Sequence, residues 1–471
     1  MREYEVVVGL EVHVELATES KIFCSCSAEF GAQPNTHVCP VCMGFPGALP
    51  TLNGKVVELA IRAGLATGCN INEHTRLDRK NYFYPDLPKA YQISQYDLPL
   101  CYGGYVDIGG KSIGITRIHI EEDAGKLIHE SGETLLDFNR CGVPLIEIVS
   151  EPDIRSAEEA KAYLTELRTR MLYAGVSDCK MNEGSFRCDV NLSVRKKGEN
   201  TLGVRTEMKN INSFSFVAKA IEHEAARQIS VIEAGGEVIT ETRRFDERDG
   251  KTHSMRSKES AEDYRFFPEP DLLPFTVDKA TVNRVKGELP MLPEERRKKY
   301  KLEYGIAEAD ARILTSRPEL AVFFERAAAF TAYPKIAANM IVCDLLALVD
   351  SDGFDCPIKA ECLSELATLW GEDRINSSTA KRIIKLLAAG DTRSPTELVS
   401  CLGLEQINDR THISCVLFEV IDENPKLISD YTGGKSAAKK AIVGKVMAKT
   451  AGLANPMILN EIFEKMLDGK I

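Results

Sequence analysis

The periodicity of the chain changes near residue 290, and that change limits the fold more than any single motif. Before it, short runs such as VVVGLEVHVEL, KSIGITRIHIEED, VPLIEIV and RCDVNLSVR alternate apolar and polar residues between Gly, Pro and Asn punctuation, which is the pattern of half-buried strands. Helical stretches intervene. In SAEEAKAYLTELRTRMLYAG, Ser156 can N-cap, Glu159 completes a capping box, and Gly175 fits a C-cap. From ELPMLPEERRKKYKLEYG onward the periodic segments are helical; Pro290 and Pro293 mark the boundary, and Glu294 and Glu295 favour a helix start. The class implied is mixed α/β or α+β, with α+β the reading adopted: a mixed-sheet domain over residues 1–293 followed by an all-α part. At 471 residues the length suggests about three domains, so the helical part divides most simply into 294–345 and 346–471. Its breaks are DSDGFDCP, GDTRSP and TGGKS, and no internal repeat or low-complexity tract appears.

Composition narrows the setting. With 44% apolar and 27% charged residues and no long apolar run, the chain reads as globular rather than membrane-spanning. The start, MREYEVVVGL, lacks the order of a signal peptide, so a soluble, cytoplasmic protein is expected. Its 14 cysteines then read as reduced thiols or metal ligands rather than a disulfide framework. A net charge of −11 argues against a general nucleic-acid coat but leaves room for a local basic surface.

The sharpest spacing is Cys24-x-Cys26, twelve residues, then Cys39-Pro-Val-Cys42. Two close pairs joined by a short loop can bring four thiolates to one tetrahedral ion, with Zn²⁺ the default, and four protein ligands leave no open position for catalysis. Gly44 lets the backbone turn around the metal. His37 is a substitute ligand at a less natural spacing, and the other ten cysteines read as small core residues.

GLEVHVEL places Leu10, Val12, Val14 and Leu16 on one strand face and Glu11, His13 and Glu15 on the other. Alone, this is a half-solvated strand or half of a metal site. In VPLIEIV, Glu147 sits among apolar neighbours, and a buried lone carboxylate requires a cation. That cation is either Arg117, Arg140 or Lys126, or a metal. A Mg²⁺ ion held by Glu11, His13, Glu122 and Glu147 fits the second alternative, although imidazole is the less usual ligand of that set.

TGGKS at 432–436 is not a phosphate loop, because the required first glycine falls on Ser429 and no strand leads in. Hydrolase and metalloprotease signatures are absent as well. The stretch TGGKSAAKKAIVGKVMAKTAG carries Lys435, Lys439, Lys440, Lys445 and Lys449 with no acid among residues 431–450, beside an apolar stripe of Ile442, Val443, Val446 and Met447. This is either a phosphate-contacting surface or a solvated helix face.

Together GLEVHVEL, DRKNYFYPDLPKAYQISQYDLPL, RIHIEEDAGK, DFNRCGVPLIEIVSEPDIRS, GVSDCKMNEGSFRCDVNLSVR, EMKNINSF, ETRRFDERDGKTHSMRSKESAEDYRFFPEPDL and KAIVGKVMAKTAGLANP closely resemble the B-subunit family of aspartyl/glutamyl-tRNA amidotransferases, from residue 3 to about 460. The resemblance implies a cradle domain, an all-α domain and a helical YqeY-like tail. It also implies a heterotrimer in which an A subunit releases ammonia from glutamine and a small C subunit braces A against B. The B subunit would bind Asp-tRNA(Asn) or Glu-tRNA(Gln), phosphorylate the side-chain carboxylate with ATP and Mg²⁺, and let ammonia displace the phosphate. By the same resemblance the metal-bearing site comprises Glu11, His13, Glu122 and Glu147, with Glu121 or Asp123 able to replace Glu122. Lys80 and Lys89 become candidates to line the ammonia passage, zinc becomes structural, and Lys435, Lys439, Lys440 and Lys445 become tRNA contacts. Glu15 keeps the reading of a solvated position.

Two rival classes make different predictions. A non-catalytic, zinc-containing RNA-binding scaffold predicts that Glu147→Gln leaves ATP-dependent amidation intact. A metal-dependent hydrolase acting alone predicts activity with neither glutamine nor an A subunit.

Overall fold

A computed structural model describes residues 3–467, apart from 131, 258–263, 350–353 and 434. Part of the ETRRFDERDGKTHSMRSKESAEDYRFFPEPDL stretch (258–263), part of the DSDGFDCP break (350–353) and one glycine of TGGKS therefore lie outside the described residues. The chain forms two compact units, Met1–Pro293 and Glu294–Ile471, and among the described residues no helix is long and apolar enough to cross a membrane.

The first unit is organised by a ten-stranded sheet. Its long strands are β1 (Tyr4–Glu15), β4 (Ser112–Glu122), β5 (Pro144–Ser150), β6 (Phe186–Lys196), β7 (Thr206–Lys209), β8 (Glu241–Asp246) and β9 (Lys251–Ser257), while β2 (Asp78–Asn81) and β3 (Tyr91–Ser94) pair in a separate small sheet. The main order runs β9-β8-β7-β6-β1-β5-β4 and on into short strands; β7 and β8 are parallel, and the other pairs of long strands antiparallel. The strand from GLEVHVEL is thus central, flanked by β5 and β6.

Alternation divides this sheet into two unlike faces. Leu10, Val12 and Val14 of β1, Ile146 and Ile148 of β5, Ile118 and Ile120 of β4, and Val190 and Leu192 of β6 share one buried core. Residues of helices α1 (Gly54–Ala66), α2 (Ala157–Tyr173) and α3 (Phe214–Glu233) complete that core, through Ile61, Leu164, Leu167 and Ile221 among others. Each such side chain contributes about 1.5–3 kcal/mol by leaving water, so a one-residue slip of β1, which would turn the apolar set outward, is strongly disfavoured. The opposite face carries the polar members of the same strands. Ser156 caps α2 as its sequence implies, accepting from the Glu159 N–H at 3.2 Å, but the Glu159 carboxylate accepts from Arg155 N, one residue before the cap.

The second unit is helical and holds two apolar cores. One joins residues from Tyr300 to Leu404, including Phe324 of α4 (Pro318–Ala329), Leu363 of α5 (Ala360–Gly371) and Ile383 of α6 (Ser377–Ala388). The other joins α7 (Arg410–Glu423), α8 (Ser436–Lys449) and α9 (Pro456–Leu467) through Leu417, Ile442, Val446 and Phe463. The division expected at 345/346 runs through the first core: Leu345 and Ile358, on either side of it, are buried in the same cluster. The chain stays helical there, passing from a π turn (Ile341–Leu345) into a 3-10 turn (Leu346–Leu348), and the cores separate after Leu404.

Candidate active site

The register of three strands builds a titratable cluster on the polar face. His13 of β1 lies opposite Glu147 of β5, and Glu147 lies opposite His119 of β4. Glu121, two residues past His119, points to the same face. His13 Nε2 stands 3.4 Å from Glu121 Oε1 and 3.5 Å from Glu147 Oε2, and His119 Nε2 is 3.5 Å from the same Glu147 oxygen. One ligand atom from each of His13, Glu121 and Glu147 fits within a 4.8 Å span.

Glu122 does not join them. As the next residue along β4 it faces the other way, where Lys89 Nζ bonds its two oxygens at 2.5 and 2.7 Å and the Ile93 N–H donates to it at 2.8 Å. The expected ligand Glu122 is therefore replaced in the cluster by Glu121, for no reason beyond strand alternation. Glu11 is displaced too. It shares the face but groups with Asp189 of β6 and Glu207 of β7 and accepts from Asn191 Nδ2 at 2.9 Å; Lys209 reaches Asp189 at 3.2 Å and Glu207 at 3.1 Å. None of Arg117, Arg140 and Lys126 pairs with Glu147 among the described residues; Arg140 and Arg187 hold Asp123 at 3.4 and 2.7 Å.

Burial and crowding shape the charges. Burial disfavours a charged His13, yet Glu147 and Glu121 outweigh it and lift the imidazole to about 9. Burial also works against the Glu147 carboxylate, but His119 and His13 reverse that and hold it well below the usual range. Burial, then Glu147, raises Glu121 to about 7, and burial lowers His119 to about 4. Burial raises Glu11 too, helped by Glu147, Glu207 and Asp189. Glu15 is no solvated bystander. Burial and its neighbour Asp123 push it up to about 8.

This face floors a polar cleft of about 390 Å³, lined by His13, Glu121, Asp123, Arg140, Arg187 and Lys209, with Lys80 and Tyr82 among its other wall residues. Lys80 Nζ lies over the rings of Tyr264 and Tyr82, at 5.0 and 5.8 Å. Lys89 does not reach this cleft. It lines a smaller cavity of about 100 Å³ with Lys21, Cys24, Cys42 and Glu122. The His13, Glu121 and Glu147 set fits a divalent cation: it combines hard oxygens with one imidazole, and Glu121 Oε2 is buried without a hydrogen-bond partner among the described residues.

The four cysteines singled out by spacing also meet, with one sulfur from each of Cys24, Cys26, Cys39 and Cys42 inside a 4.8 Å span. Cys39 and Cys42 sulfurs are 3.9 Å apart, close to the roughly 3.8 Å expected of thiolates around tetrahedral zinc. The Cys39 N–H donates to Cys42 Sγ at 3.1 Å. The Cys24 thiol, helped by that N–H and by Lys21, holds Cys42 down to about 5 against burial. His37 is not part of the group. Gly44 adopts a φ of +66° where the loop turns back, and a Cβ there would collide with the Lys89 side chain. The donor set fits zinc.

In the second unit, α8 and the Lys435 that precedes it present the five lysines differently from their sequence window. Lys435 bonds Asp430 at 2.9 Å, Lys439 bonds Glu464 of α9 at 2.9 Å, and Lys449 reaches Glu423 and Glu419 of α7 at 2.6 and 3.3 Å. Only Lys440 and Lys445 are exposed without an ion pair among the described residues. The acids come from neighbouring helices, outside the 431–450 window.

Sequence reasoning missed His119, Asp189 and Glu207, and ranked Glu121 as a substitute. A signal existed. In RIHIEED and RCDVNLSVR, strict alternation sets His119 with Glu121 and Asp189 with Asn191, apart from the apolar residues between them.

The description "GatB/GatE catalytic domain" matches residues 6–283, and "GatB domain" matches residues 322–467. The B subunit of the aspartyl/glutamyl-tRNA(Asn/Gln) amidotransferase from Caldicellulosiruptor saccharolyticus is 52% identical over 479 residues, covering 99% of both chains. The proteins of that name from Carboxydothermus hydrogenoformans and Thermodesulfovibrio yellowstonii are 50% and 49% identical, each with 99% of both chains covered. With both domains matched and relatives aligned end to end, this chain belongs to the B-subunit family of the aspartyl/glutamyl-tRNA(Asn/Gln) amidotransferases.

Proposed function

We propose that the polar face of the sheet is where a misacylated Asp-tRNA(Asn) or Glu-tRNA(Gln) is converted to Asn-tRNA(Asn) or Gln-tRNA(Gln). A carboxylate oxygen is a poor leaving group, so ammonia does not displace it. The side-chain carboxylate first attacks the γ-phosphorus of ATP and releases ADP; ammonia then attacks the acyl carbon, and phosphate leaves. The observation that carries this reading is the His13, Glu121 and Glu147 set, whose His13 and Glu121 line a cleft walled by cations.

Those three residues are the proposed holders of Mg²⁺, and Glu11, Asp189 and Glu207 form a second acidic group on the same face. Bound there, the ion would neutralise charge on the phosphoryl group in transfer. His119, kept neutral by burial, lies beside Glu147 and helps fix its oxygen. Lys80 supplies a point charge for phosphate from the cleft wall, and Arg140 and Arg187 hold Asp123 out of the metal set. Zn²⁺ in the four-cysteine knuckle is assigned a structural role. Ammonia from a glutaminase (A) subunit, which a small C subunit braces, is proposed to arrive past Lys89 and Glu122 and leave by Lys80. Lys440 and Lys445 are the strongest remaining candidates for tRNA phosphate, since they alone of the five are unpaired among the described residues.

The test is a reconstituted complex of the three subunits, supplied with misacylated tRNA, ATP and either glutamine or ammonium. Glu147→Gln should abolish amide formation from both nitrogen donors while glutamine hydrolysis by the glutaminase persists. Normal amidation by that variant would remove the site and favour a scaffold role.

A further inference from the structure

Lys21 is fully buried, at 0% exposure, and no carboxylate among the described residues pairs with it. Its Nζ donates to the His37 carbonyl at 2.6 Å and the Phe138 carbonyl at 3.4 Å, and lies 3.8 Å from Cys42 Sγ. Carbonyl dipoles alone leave a buried ammonium without a counter-charge, an expensive arrangement. Among the described residues, the ionisable side chain that Lys21 Nζ contacts is Cys42. Seen from the cysteines, the need is reciprocal. Four thiolates around a divalent ion carry a net charge of about −2, and a buried centre of that charge is strengthened by a cation in its surroundings.

We infer that Lys21 is the counter-ion of the four-cysteine knuckle, balancing part of the charge of a tetrathiolate zinc centre and pinning that centre to the turn at residues 138–142. The fit around the turn is extensive. Asn35 N bonds Asp137 Oδ1 at 3.0 Å, His37 N bonds Asn139 Oδ1 at 2.8 Å, and the Cys141 thiol donates to the Cys42 carbonyl at 3.3 Å. From the same turn Arg140 extends to Asp123 in the cleft and donates to the Ala124 and Gly125 carbonyls at 2.9 and 2.8 Å. Lys21 is therefore a positioning residue. It touches neither substrate nor the reacting atoms, and it links the charge of the knuckle to the segment that carries an arginine of the active site.

The inference rests on the zinc reading proposed above, and its test separates the two. The full-length chain is stripped with chelator and titrated with Zn²⁺ against a chromophoric competitor. Lys21→Gln keeps an N–H donor, one bond shorter, and loses the charge, so it should bind zinc about 10–100-fold more weakly. Lys21→Arg keeps the charge and should recover most of that loss. Equal affinity in Lys21→Gln and the natural chain overturns the inference, as does a Lys21→Arg protein no better than Lys21→Gln. If the natural chain binds no zinc, the zinc reading itself falls. Should Lys21→Gln fail to accumulate, adding Cys42→His lowers the charge of the ligand set by one and should restore a folded, zinc-binding chain; no restoration overturns the inference.

Discussion

The two candidate metal centres of the first unit are built in opposite ways. The four thiols come from a single segment, Cys24 to Cys42, and its loop closes on itself. The imidazole and carboxylates of the cleft come from three strands, at positions 13, 121 and 147, and meet only through β register. Their electrostatics differ as well. The knuckle has its own buried cation, Lys21. The cleft set is left crowded, with Glu121 pushed up to about 7 by burial and by Glu147, and with a Glu121 oxygen that has no hydrogen-bond partner among the described residues. A centre with its own buried lysine suits a structural role, and one whose carboxylates are still crowded is poised to receive a metal cation together with its phosphate ligands.

The largest effect expected tests the two faces of β4 against each other. Glu121→Gln should lower amidation on the order of 10³-fold with little loss of stability, because it removes a carboxylate whose charge burial and Glu147 already disfavour. Glu122→Gln should do the reverse to stability. It strands the buried ammonium of Lys89, at a cost of about 3–5 kcal/mol in denaturant unfolding, while Mn²⁺ binding in the cleft is retained. Equal behaviour of the two variants in both measurements would erase the distinction.

The pH dependence sharpens it. His13 without metal holds its proton up to about 9, so below that pH a cation must displace the proton. Mn²⁺ affinity measured by calorimetry should therefore rise about tenfold per pH unit from 7 toward 9 and then level off. A flat profile would take His13 out of the ligand set. Removal of zinc by chelator is expected to act locally. Amide hydrogen exchange should accelerate across residues 20–45 and 136–142, with Mn²⁺ binding in the cleft changed by less than about threefold, since the four cysteines lie outside the His13 set. A larger change would show the two centres to be one functional unit.

The smallest effect belongs to the second unit. Replacing Lys440 and Lys445 by alanine should reduce the salt slope of tRNA binding by about 1 for each residue. Replacing Lys439 and Lys449, already matched to Glu464 and to Glu419 and Glu423, should change it less. The reverse ranking would mean that the acids release their lysines to the RNA.

How much was legible follows from distance along the chain. The knuckle could be read because C-x-C and C-x-x-C spacing is itself the geometry of ligation. The strand faces could be read because side chains alternate with a period of two, and the strict use of that rule in RIHIEED already separates Glu121 from Glu122. The lysine-rich helix misled because a window on one helix sees none of the acids on its neighbours, Glu464 on α9 and Glu419 and Glu423 on α7. The boundary at 345/346 misled for a related reason: a break in periodicity does not end a core, which is defined by the helices that share it.

By itself the sequence determined what local geometry controls: an α+β first part and a helical second part, the apolar face of β1, and the cysteines of the knuckle. Only the tertiary structure decided which residues became partners across strands and helices. It set Glu147 between His13 and His119 rather than beside an arginine, moved Glu11 to Asp189 and Glu207, and placed Lys21 beneath Cys42. Electrostatic energies depend on separations of a few ångströms and on burial, and strand pairing fixes both between residues far apart in the chain.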